Sequence, residues 1–88
     1  MLTKELTVLN RAGIHARPAS TIAKVSQRYT SEITLTSGTM CINAKSIMGI
    51  ITLGAIYKTV ITVSCNGTDE KEAMEALEKL FENRFEEA

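Results

Sequence analysis

The sequence predicts an α+β fold: a two-layer sandwich in which a four-stranded, mostly antiparallel sheet carries helices on one face. Three observations predict it. Four short segments alternate apolar and polar residues with a period of two, the mark of half-buried strands. Between and after them lie segments whose apolar residues recur at helical spacing. The chain has 88 residues, a size at which roughly 60–65% of the unfolded surface is buried on folding. That suffices for one core and predicts a single domain over residues 1–88.

The elements follow in order. Residues 3–9 alternate with Leu6 and Val8 on one face and form the first strand. Asn10 to Gly13 is turn-like, and Gly13 adopts positive φ cheaply. From Ala16 to about Tyr29, a stripe of Ala19, Ile22, Ala23 and Val25 predicts a helix with its N-cap near His15. Pro18 suits its first turn, where a missing N–H costs no helical bond. Residues 32–37 and 39–43 alternate around Ser37-Gly38 and read as a hairpin. Ser46 then caps a short apolar helix ended by Gly54, although Ile50-Ile51-Thr52 taken alone also suits a strand. Residues 59–65 are the fourth strand, and Asn66-Gly67 turns the chain. Thr68 or Asp69 starts the last helix, with Ala73, Ala76, Leu77, Leu80 and Phe81 inward and Asp69 with Glu72 as a capping box. The order is βαββαβα.

Composition narrows the function classes. No apolar run reaches the roughly 18–20 residues of a membrane span, and the start of the chain lacks a signal-peptide core. A soluble, cytoplasmic protein with no membrane insertion is expected. Cys41 and Cys65 are too few for a disulfide framework and are expected as two buried, reduced thiols. One His and no CxxC argue against structural zinc, and no cofactor is expected. The zero net charge conceals an asymmetry: residues 69–88 hold eight of the ten acids and sum to −5, so residues 1–68 sum to +5. A dipolar chain lacks the broad basic face of a nucleic-acid binder, but its basic part suits an acidic protein surface. The strands carry no Phe, Tyr or Trp on which RNA bases would stack. No GxSxG, Walker or GxGxxG motif is present.

Chemistry concentrates at two helix starts. His15 is the sole imidazole, at a position where helix N–H groups and dipole create positive potential. An uncharged imidazole suits that potential and offers a nucleophilic nitrogen. The N–H groups of Ala16 and Arg17 are placed to bind phosphoryl oxygens, and the Arg17 guanidinium adds charge-assisted bonds. Taken alone, a His and an Arg at a helix start are more often surface or capping residues. Ser46 offers a hydroxyl whose phosphorylation a helix N-terminus tolerates, and plain capping explains it equally well. Ile47, Met48, Ile50, Ile51 and Leu53 exceed what one buried stripe needs, so they serve either core or docking surface.

Gly13-Ile14-His15-Ala16-Arg17-Pro18-Ala19 followed by Lys45-Ser46-Ile47-Met48-Gly49-Ile50 resembles the HPr family, the histidine-containing phosphocarriers of the bacterial sugar phosphotransferase system. The resemblance spans essentially the whole chain. It implies an open-faced β-sandwich with strand order 1-4-2-3 and three helices on one face. It implies that Nδ1 of His15 accepts a phosphoryl group from phospho-enzyme I, assisted by Arg17 and the Ala16 N–H, and passes it to IIA domains of sugar permeases. Ser46 matches the regulatory serine acted on by an HPr kinase/phosphorylase. Ile47, Met48 and Ile51, with Ser20 and Lys24 on the first helix, match the partner-docking patch. A monomeric carrier, not an independent enzyme, is implied. The alternative is a chiefly regulatory module in which phospho-Ser46 recruits a catabolite-control transcription factor. Three positions depart from common family patterns: Ala12 replaces a Ser or Thr, Lys58 stands where many members have Gly, and Ile51 replaces a frequent Met.

Overall fold

The computed structural model describes residues 1–86. Strand β1 (Leu2–Thr7) leads to helix α1 (Ala16–Ser26), the hairpin β2 (Glu32–Ser37) and β3 (Met40–Asn43), and helix α2 (Ile47–Leu53). Strand β4 (Val60–Asn66), helix α3 (Glu70–Glu82) and a short turn over Arg84–Glu86 complete the described chain. All three strand pairings are antiparallel and the sheet order is β1-β4-β2-β3. The expected fold class and topology are both present.

The two faces of the sheet explain the layers. Alternation turns Ile33 and Leu35 of β2, and Ile61, Val63 and Cys65 of β4, toward the helices, and all five are buried. They meet Ile22 of α1, Ile50 of α2 and Leu77 and Phe81 of α3, also buried. The opposite face carries Thr3, Glu5, Thr34, Thr36, Thr62 and Ser64, as an antiparallel sheet open to water allows. Lys4 falls on the helix side of edge strand β1 and ends at Glu78 of α3, at 2.9 Å.

Several boundaries differ from those expected, each for a local reason. Strand β1 stops at Thr7, not residue 9, because its partner bends away: the backbone of Lys58 turns left-handed (φ 72°). Val8 instead bonds across the bend to Thr59 O and from Lys58 N, at 2.9 and 2.8 Å. Strand β4 correspondingly runs over Val60–Asn66 and β3 begins at Met40. Helix α1 ends at Ser26, not near Tyr29, since Arg28 and Tyr29 donate to Val25 and Ser26, tightening into 3₁₀ spacing. The strand alternative for Ile50-Ile51-Thr52 loses to helix α2, whose C-cap Gly54 is left-handed (φ 63°).

Three side-chain expectations are corrected. The Asp69–Glu72 capping box does not form: Asp69 is the N-cap of α3 but makes no side-chain cap bond, accepting instead from Ser31 Oγ, Ser31 N and Thr30 N. Met74 is buried in α3 whereas Ala76 is half-buried, while Ala73, Leu77, Leu80 and Phe81 face inward as expected. Cys65 is buried, but Cys41 is exposed because it faces Thr36 on the open side of the sheet. Both thiols are free, and burial, reinforced by Glu70 and Asp69, pushes the Cys65 thiol up to about 11.

Candidate functional site

The segment 10–18 is fixed before it presents anything. Gly13 N donates to Asn10 O at 3.0 Å, and the buried Asn10 side chain returns a bond from Nδ2 to Gly13 O at 2.6 Å. Gly13 is left-handed (φ 74°), and a Cβ there would lie 2.8 Å from Ala55 O. That carbonyl is already occupied, accepting from Ile14 N at 2.9 Å. Glycine is therefore required twice, for its backbone conformation and for the close approach. With Ile14 and Pro18 buried on either side, the residues between them are held outward.

His15 is the N-cap of α1, extended at φ −94° and ψ −166°, and its carbonyl accepts from Ala19 N at 3.0 Å. Its imidazole makes no capping bond to the helix and the residue is exposed. Ala16 and Arg17 follow as the first helical residues, both exposed, at the positive end of an eleven-residue helix. The structure thus brings together His15, Ala16 and Arg17 as the sequence suggests. Ser20 and Lys24 continue along α1, half-buried and exposed, with Lys24 in the last turn.

Helix α2 packs against α1. Its N-cap Ser46 accepts from Gly49 N at 3.1 Å through Oγ and is half-buried. The approach is tied down by Lys45, whose Nζ donates to Tyr29 O at 2.7 Å and whose carbonyl accepts from Gln27 Nε2 at 2.9 Å. The choice between core and surface for the apolar run resolves residue by residue. Ile50 is buried and Leu53 packs on the core, whereas Ile47, Met48 and Ile51 remain 39%, 70% and 37% exposed. No acidic residue stands in the first turn of α2.

A cavity of about 920 Å³ lies beside this site, lined by Arg11, Ala12, Arg17, Tyr57, Arg84 and Phe85 among others. Sequence reading passes over Arg11, Tyr57 and Arg84 because they lie far apart along the chain and share no local pattern. Among the described residues, no group of three or more His, Cys, Asp or Glu side chains is placed to hold a metal ion. Among those residues, too, no helix is long and apolar enough to cross a membrane.

Residues 2–83 match the family model described as the PTS HPr component phosphorylation site. The chain is 45% identical over 87 residues to the phosphocarrier protein HPr of Treponema pallidum, covering 99% of each chain. It is 47% identical over 87 residues to that of Xylella fastidiosa strain Temecula1, covering 99% of this chain and 98% of the relative. Its structure superposes with a TM-score of 0.95 on the crystal structure of HPr-C-His from Thermoanaerobacter tengcongensis. That alignment is 38% identical and covers 100% of this chain and 99% of the other.

Proposed function

Because this chain belongs to the HPr family of phosphocarrier proteins, we propose that it carries a phosphoryl group on Nδ1 of His15, received from phospho-enzyme I and delivered to IIA domains. The observation that carries the reading is the exposed imidazole at the N-cap of α1, taking no part in capping and followed at once by Ala16 and Arg17.

In this reading the Nδ1 lone pair attacks phosphorus as the bond from phosphorus to the donor breaks, and the reverse sequence delivers the group to the acceptor. Phosphoryl transfer asks mainly for positioning and charge stabilisation. Positioning comes from the 10–14 turn, pinned on Ala55 and Asn10. Stabilisation comes from the Ala16 and Arg17 N–H groups, the helix dipole and the Arg17 guanidinium. An exposed cradle holds the group loosely enough to release it, as a carrier requires. Ile47, Met48 and Ile51, beside Ser20 and Lys24, form the docking surface that successive partners share. We place this carrier in the cytoplasm as a monomeric single domain that turns over no substrate on its own.

Ser46 is the regulatory position, phosphorylated by an HPr kinase/phosphorylase where the host has one. A phosphate there brings about −1.5 to −2 charges to a helix start that lacks acids and lies beside the docking patch. In the charged-serine form, a catabolite-control transcription factor is the partner.

Phosphoryl uptake from phosphoenolpyruvate and enzyme I, read by intact mass, tests the proposal. Wild type should gain one acid-labile phosphoryl group and His15→Ala none. If wild type gains nothing from an enzyme I that charges a control HPr, the carrier reading fails. The regulatory reading through Ser46 then takes its place.

A further inference from the structure

The loop between α2 and β4 places two cations on one aromatic ring beside the His15 turn. The Arg11 guanidinium lies 5.6 Å from the Tyr57 ring centroid and the Lys58 ammonium 5.4 Å from it. Both distances fall within cation–π range. Lys58 is left-handed (φ 72°), a backbone state that L-residues other than Asn and Asp rarely adopt. It is held there by its own N–H, which donates to Val8 O at 2.8 Å. Glycine would take that bend without strain, so the fold tolerates an unfavourable residue where a side chain is projected.

The two cations remain available. Among the described residues neither Arg11 nor Lys58 is in an ion pair, whereas the amino terminus pairs with Glu70 and Lys4 with Glu78. The cluster is continuous with the phosphoryl site, since Arg11, Arg17 and Tyr57 line one cavity, to which Arg84 adds a further guanidinium and Glu86 a carboxylate. Leu9 and Ile56, 40% and 69% exposed, flank it. Cations beside exposed apolar side chains match a protein surface better than a small anion, which gains nothing from the apolar part. The +5 sum of residues 1–68 gives the sign of the partner.

We propose that Arg11 and Lys58, presented on Tyr57, are a second contact point for carboxylates on the phosphoryl donor and help set which donor this chain accepts. The inference rests on the phosphocarrier reading. It adds a basic wing on the Tyr57 side of His15 to the docking surface on α1 and α2. Rim charges of this kind act on encounter rate and salt dependence more than on the chemical step.

The test is the KM of enzyme I for the carrier across a salt series, in wild type, Arg11→Gln, Lys58→Gly, Lys58→Arg and the Arg11→Gln/Lys58→Gly double variant. Lys58→Gly removes the charge while accepting the left-handed bend, and circular dichroism checks that each variant is folded. At low salt the double variant should raise KM about tenfold and each single neutralisation about threefold, with a shallower salt slope. Lys58→Arg should stay within about twofold of wild type. Equal KM and equal salt slopes for the double variant and wild type would overturn the inference. A wild type left uncharged by an active enzyme I is a different failure, because it removes the carrier reading before any variant is compared, and this inference goes with it.

Discussion

At the start of α2, Ser46 turns its hydroxyl back onto the Gly49 N–H at 3.1 Å. At the start of α1, His15 occupies the same structural position and makes no such bond. The two N-caps use one backbone geometry for opposite ends. Both are extended, at φ −106° and ψ 114° for Ser46 and φ −94° and ψ −166° for His15. Ser46 spends its side chain on its own helix, so its chemistry is coupled to α2. The imidazole of His15 is spared that duty, and the order of its segment comes from elsewhere, from Gly13, Ile14 and Asn10. A side chain that must take up and release a group repeatedly is better placed on a segment whose stability does not depend on it.

The largest expected effect follows from that division. Gly13→Ala forces an alanine into φ 74° and drives its Cβ to within 2.8 Å of Ala55 O. The left-handed penalty plus displacement of the Ile14–Ala55 contact should cost about 2–4 kcal/mol, measured by urea unfolding. Phosphoryl uptake at His15 should slow as well, because the loop that aims it has moved. Unaltered stability and uptake would show that the pinning of this turn is incidental.

A middle-sized effect separates the caps directly. Ser46→Ala removes a cap bond and should cost about 1 kcal/mol. His15→Ala, at an exposed position with no cap bond, should stay within about 0.5 kcal/mol. Equal losses would erase the contrast between the two helix starts. Ser46→Asp sharpens it further: a carboxylate at this cap should leave α2 formed yet slow charging of His15 by repelling an acidic donor. Equal charging rates for wild type and Ser46→Asp would remove that electrostatic role.

Where the signal is local, the sequence carries it. Ser46 and Gly54 bracket α2 with a capping hydroxyl and a left-handed glycine, both readable within nine positions. His15, Ala16 and Arg17 are adjacent, and a helix start assembles them without help from the rest of the fold. Strand order 1-4-2-3 was legible through the family resemblance, because alternation alone says which residues pair inward and not which strands are neighbours. What was lost is non-local. Asp69 looked like half of a capping box with Glu72, but tertiary packing brings Thr30 and Ser31 within reach and the carboxylate bonds there instead. Cys41 reads like Cys65 by residue type, and only the pairing of β3 with Thr36 turns it to the open face. Arg11, Tyr57 and Lys58 meet because β1 and the loop before β4 converge, which no window of sequence contains.

The smallest effect concerns the third helix start, and it appears only in acid. Asp69 caps α3 by position but points its carboxylate away, accepting from Ser31 Oγ, Thr30 N and Ser31 N. Those bonds, the Ser31 hydroxyl foremost and the Thr30 N–H next, lower its pKa from 3.8 to about 2. A lowered carboxylate pKa means that the unfolded chain binds the proton more readily than the folded one. The contribution is therefore complete above the unfolded value and disappears as pH falls from about 4 toward about 2. Glu70 adds to the same slope, its pKa lowered first by the Gly67 N–H and then by the amino terminus. Urea unfolding through this range should show stability falling with pH in wild type and a shallower fall in Asp69→Asn, with the Glu70 part retained. Identical slopes would mean that the Asp69 bonds to residues 30 and 31 are not held in solution. In that case α3 is anchored by its buried face of Ala73, Met74, Leu77, Leu80 and Phe81 together with the Glu70–amino terminus and Lys4–Glu78 pairs, with nothing added by the side chain at its start.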